Sequence, residues 1–174
     1  MKNITSSSLL FLSLIFFTGC PYESLVPIYC TGTKVDKKLL GEYLTGDNDQ
    51  TIKVTSTRDA MGNELYAVNI PDLPGTDENK KSYWEAKVCV IGGTKFIQFF
   101  HPDDEPVIYY IYKLESGGVK DEVGEKLPYV RLTPMSQSIK THPKYPEDLR
   151  DYIKDHQKDT GFFTVEDEET YFKK

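Results

Sequence analysis

From Leu39 onward, apolar and polar residues alternate in short runs separated by turn residues, the period of half-buried strands. Residues 39–44 form the first run and are followed by Gly46, Asp47, Asn48 and Asp49. Residues 51–57 set Ile52 and Val54 against Lys53 and Thr55, and in 64–70 the side chains of Tyr66, Val68 and Ile70 align. A loop rich in proline, glycine and aspartate over 71–81 precedes residues 83–90. There Trp84, Ala86, Val88 and Val90 share one face, while Glu85, Lys87 and Cys89 share a more polar one. Gly92-Gly93 is a two-residue hairpin signal leading into 94–100, and 107–114 and 127–132 complete seven strand candidates. The fold class is therefore mainly β: an antiparallel meander that closes or nearly closes into a small barrel.

After Pro134 the period changes. In residues 146–158, Leu149, Tyr152, Ile153 and His156 fall at helical spacing, with a proline and acidic residues in the first turn. This predicts one C-terminal amphipathic helix laid against the sheet or across its open end. Gly161 follows it, and 162–165 with 170–172 can add a short final strand or hairpin.

The first twenty residues follow a different logic. Lys2 gives a positive start, and residues 9–17 are a largely apolar run of nine, whereas a bilayer-spanning helix needs roughly twenty. The sequence Phe17-Thr18-Gly19-Cys20 then resembles the lipobox of bacterial lipoproteins. That resemblance implies removal of residues 1–19, with Gly19 as the small residue before the cut. It also implies a diacylglycerol and an N-acyl chain on Cys20, and no other cofactor is expected. The acyl chains would hold the protein on a lipid bilayer, with the domain in the periplasm or at the cell surface. One chain binds membranes only marginally, while two or three on one residue make attachment stable.

Residues 20–38, with prolines at 21 and 27, read as a lipidated tether with a reach of at most about 60 Å ahead of a single domain at 39–174. With Cys20 acylated, Cys30 and Cys89 remain, and an oxidising envelope favours a disulfide between them. Such a bond would pin the tether where it crosses the outer face of the Cys89 strand.

The domain also resembles lipocalin-type small barrels, which place Gly-x-Trp on the first strand and a late arginine over that ring. Here Gly41 and Tyr43 occupy the first positions, with tyrosine in place of tryptophan, and Arg131 lies on the last long strand. The resemblance implies a lumen able to carry a small molecule or lipid.

Composition narrows the partners. A formal charge of −6 removes the basic face that binding to nucleic acid needs. Three histidines, with no HExxH or Cys-x-x-Cys, give no zinc pattern. His101-Pro102-Asp103-Asp104-Glu105-Pro106 reads as a solvated loop stiffened by two prolines, and the acidic run 166–169 as a solvated face. Nucleophile elbows, phosphate loops and dinucleotide fingerprints are absent from the sequence, so it predicts no enzyme. Aromatic residues at 13% supply strand formers and contact surfaces alike. The expected function is a membrane-anchored, non-enzymatic accessory module that binds an envelope protein. A small-molecule or lipid carrier and a surface-displayed inhibitor or host-interaction factor are the alternatives. If Trp84, Val88 and Phe96 fill the barrel centre, the carrier reading fails.

Overall fold

Each alternating segment pairs with its sequence neighbour, and the last strand closes the ring. The computed structural model describes residues 22–30, 34–45, 51–69, 83–120, 124–139 and 142–174. The expected signal segment 1–19 and Cys20 lie outside them, as do the expected turn 46–49 and loop 71–81. The strands are β1 (Tyr22–Ser24), β2 (Gly41–Thr45), β3 (Thr51–Arg58), β4 (Glu64–Asn69), β5 (Tyr83–Ile91), β6 (Thr94–Phe100), β7 (Tyr109–Lys120), β8 (Lys126–Pro134) and β9 (Glu169–Lys173). Strands β2 to β9 form a closed eight-stranded antiparallel barrel in the order β7-β6-β5-β4-β3-β2-β9-β8, closed by pairing of β7 with β8. At the β5–β6 hairpin, Ile91 pairs with Thr94. Gly92 and Gly93 there have φ of 57° and 88°, the left-handed pair that a tight turn matched to strand twist requires.

Two apolar layers share the barrel wall. Inward residues, among them Tyr43, Ile52, Tyr66, Val68, Ala86 and Ile97, form the core of the lumen. Outward residues Cys89, Ile91, Phe96 and Ile111 pack beneath helix α1 (Pro146–His156) and the N-terminal segment. Phe96 thus sits in the outer layer, while Trp84 and Val88 pack inside. The outer face of β5 is not polar in effect: Cys89 and Ile91 are each 1% exposed because the helix and N-terminal segment cover them. The helix docks through fully buried Leu149 and Ile153, each contributing roughly 1.5–3 kcal/mol by burial. Glu147 and Asp148 in its first turn and Lys154 and His156 in its last complement the helix dipole.

The free tether expected over 20–38 is corrected by its N-terminal part. Tyr22, Glu23 and Ser24 pair with Ile111, Tyr110 and Tyr109 of β7. The reason is an open edge. Strand β8 ends with Pro134 opposite Tyr112, so the first residues of β7 have no barrel partner on that side. Strand β1 fills the gap, and the Tyr22 N–H donates to the Met135 carbonyl at 3.0 Å. Ile28 further along is 2% exposed.

Candidate functional site

Two places on the barrel gather side chains beyond what the fold requires: the lumen and the N-terminal segment clamped on the wall.

Alternation along β2, β3, β4, β6, β7 and β8 sends one apolar face inward, leaving a cavity of about 100 Å³. Its walls include Leu39, Tyr43, Ile52, Val68, Leu114 and Leu132, and among the described residues no charged side chain lines it. A 3₁₀ turn at Lys37–Leu39 covers it at the end of the barrel where β2 begins. The turn is tied down by the Asp36 N–H donating to the Tyr66 hydroxyl at 2.7 Å and by Lys173 Nζ donating to the Lys38 carbonyl at 3.0 Å. A long ion pair between Lys95 and Asp36 at 3.9 Å adds to this. The Tyr43 hydroxyl donates to the Leu39 carbonyl at 3.0 Å. Burial pushes the Tyr43 and Tyr66 phenols above their ordinary pKa, with smaller contributions from neighbouring charge. These hydroxyls are engaged with the chain that covers the lumen.

At the opposite end the inward face becomes polar. Trp84 follows Val68 across the β4–β5 pairing, and His101 follows Phe99 at the end of β6. The Trp84 ring meets His101 edge-on at 5.8 Å and Tyr110 edge-on at 5.7 Å. His101 is 5% exposed rather than solvated, which corrects the loop reading for this residue. The Asp103 N–H donates to His101 Nδ1 at 3.2 Å, and the Asp104 carboxylate lies 3.6 Å from the same nitrogen. Trp84 Nε1 and His101 Nε2 are buried without a hydrogen-bond partner among the described residues. Among the described residues, no three His, Cys, Asp or Glu side chains stand together as a metal site would need.

The predicted site residues distribute unevenly. Cys30 and Cys89 are brought together, with Cα atoms 5.5 Å apart and the sulfurs in bonding contact. Gly41 opens β2 at φ 142°, where a Cβ would lie 2.7 Å from Lys173 Cε. Tyr43 enters the lumen, but Arg131 does not pack over it. Leu132 takes the inward position, so Arg131 points outward, 3.1 Å from Glu168 and 3.9 Å from Glu115, over the Tyr129 ring. The cation over Tyr43 is Lys173, at 6.0 Å from the ring centroid. Sequence reasoning missed Gln98, which reaches from the buried outer face to the Ile28 backbone. A lone amide between Phe96, Ile97, Phe99 and Phe100 was the available signal.

No family model and no solved structure matches the chain. It is similar to the bifunctional peptidase and (3S)-lysyl hydroxylase JMJD7 of Homo sapiens, 29% identical over 101 residues, covering 51% of this chain and 32% of that protein. The chain thus spans about a third of the length of this curated relative. The likeness overturns the expectation that the chain is not an enzyme, because the protein it resembles is named for two enzymatic activities.

Proposed function

We propose that this chain is a bacterial envelope lipoprotein, acylated at Cys20, whose barrel works against the membrane surface by engaging a polypeptide partner. The observation that carries this reading is the position of Tyr22. It lies two residues beyond Cys20 and is already built into the barrel wall. Two residues span at most about 7 Å, so acyl chains on Cys20 would hold the barrel at the head groups instead of up to about 60 Å away. None of the helices among the described residues is long and apolar enough to cross a membrane, and in this reading the lipid is the anchor.

The contact surface is formed by Tyr29 and Tyr145, which are 45% and 64% exposed. Arg150 fixes it by donating to the Tyr29 carbonyl at 2.9 Å and the Val90 carbonyl at 3.2 Å. Exposed aromatic rings around a held arginine are the composition that protein interfaces favour. Both activities in the relative's name are carried out on polypeptides, which supports the same class of partner. The lipid-carrier alternative is not supported: an apolar cavity of about 150 Å³ holds a molecule of benzene size, and this lumen has about 100 Å³.

The test is metabolic labelling with palmitate, followed by crosslinking in cells and capture of the acylated protein. The wild type should carry label and capture a partner that Tyr145→Glu loses, while Cys20→Ser should be unlabelled and leave the membrane fraction. An unlabelled wild type, or Cys20→Ser retained on membranes, would overturn the anchor. Mass spectrometry of the captured partner, before and after incubation with purified protein, tests for cleavage or added oxygen.

A further inference from the structure

We propose that the end of the lumen at Trp84 and His101 binds the acceptor oxygen of a small neutral carbonyl compound, whose apolar part fills the adjoining cavity. This site is separate from the exposed patch and does not depend on the anchor.

Two donors, Trp84 Nε1 and His101 Nε2, lack partners among the described residues. Trp84 Nε1 can only donate. The Asp103 N–H donates to His101 Nδ1, which puts the hydrogen of the neutral ring on Nε2. Both N–H groups are buried without a partner among the described residues, and their rings meet edge-on at 5.8 Å. Buried donors are almost always satisfied, and two unsatisfied donors on rings that stand on the inward face call for an acceptor.

A void lies beside them. Val68, paired with Trp84, and Phe99, the inward residue before His101, both line the cavity. An acceptor held at the two donors would therefore sit next to an apolar space of about 100 Å³, room for about four carbons. Charge then selects the ligand class. Among the described residues the cavity has no cationic wall residue, and the Asp104 carboxylate lies 3.6 Å from the His101 ring. A carboxylate ligand would be buried without a counter-charge, whereas a ketone or amide oxygen needs only the hydrogen bonds.

The chain contains one tryptophan, so its indole N–H gives a single resonance that reports on the site. Titration of the full-length protein with cyclopentanone should move that resonance in a saturable way at millimolar ligand. Cyclopentane should leave it near its starting position, and 3-methylbutanoate should bind at least about tenfold more weakly than the ketone. His101→Phe, checked for folding by circular dichroism, should weaken cyclopentanone about tenfold, and His101→Gln should restore most of the affinity. The proposal is overturned by the absence of a saturable shift, as when the two donors hold only a water, or by an equal shift with cyclopentane. Unchanged affinity in folded His101→Phe would also overturn it. If His101→Phe does not fold, the ketone and hydrocarbon titrations of the wild type decide.

Discussion

Gln98 binds Ile28 through both ends of its carboxamide. The Ile28 N–H donates to Oε1 at 2.7 Å, and Nε2 donates to the Ile28 carbonyl at 3.3 Å. One side chain thus does for the N-terminal segment what a neighbouring strand does for a ladder residue, in a place where both groups are buried. Replacing it with an apolar residue strands two backbone groups away from water. Gln98→Leu should destabilise the protein by about 2–4 kcal/mol. Hydrogen exchange should show the loss first in residues 22–30, with the barrel strands still protected. Uniform loss of protection across the barrel would mean that the segment and the barrel do not open separately.

The Cys30–Cys89 pair closes the same clamp from its far end. The bond would span 59 residues of sequence, and the loop-closure relation gives about 4 kcal/mol for a loop of that size. Intact mass of freshly prepared, unreduced protein should be lower by two hydrogens than that of the reduced form. Cys30→Ala and Cys89→Ala should each lower the urea midpoint by a similar amount. Two free thiols in the unreduced protein would remove the bond from this account.

Tyr66 gives the fold a dependence on alkaline pH. Burial is the largest influence on its phenol and raises the pKa above the ordinary 10.0. The unfolded chain therefore loses this proton at a pH where the folded one still holds it. The stabilising effect is fully present below about pH 10 and is lost as pH rises through the folded value. Tyr43 follows the same rule for the same reason. Urea midpoints should be flat up to about pH 10 and then fall, and Tyr66→Phe should make the fall shallower. A Tyr66→Phe profile parallel to the wild type would assign the alkaline loss to other groups.

The meander, the Gly92-Gly93 hairpin and the helix were legible because each rests on local periodicity or turn chemistry. Strand β1 was not, since the three residues Tyr22-Glu23-Ser24 are too short a run to reveal in sequence the alternation their burial shows. What orders it is the edge left on β7, more than eighty residues away in sequence. The burial of Cys89 and Gln98 was hidden for a related reason. Alternation says that two faces differ but cannot say that a distant helix will cover the outer one. Strand β7 also ran on through Gly117 and Gly118, where strand propensity is poor. There Tyr129 and Lys126 lie across the glycines, close against where Cβ atoms would stand, so cross-strand cover replaces the missing side chains. Arg131 shows the limit of motif matching: one position along a strand decides inside from outside, and Leu132 holds the inner one.

The void in the lumen offers a final test, because stability and ligand capacity should respond to it in opposite directions. Val130 lines the cavity from β8, where it pairs with Ser116 on one side and Tyr171 on the other. Val130→Ile adds one methylene. In a filled core that addition costs stability through strain, but beside about 100 Å³ of unfilled space it can extend without displacing a neighbour. Burial of the extra group should raise stability by up to about 0.8 kcal/mol, read as a higher urea midpoint with an unchanged slope. The same variant should bind cyclopentanone more weakly, because the added group takes volume from the ligand's apolar part. A lower midpoint would show that the wall at 130 is already close-packed, and the cavity would then lie out of reach of that side chain.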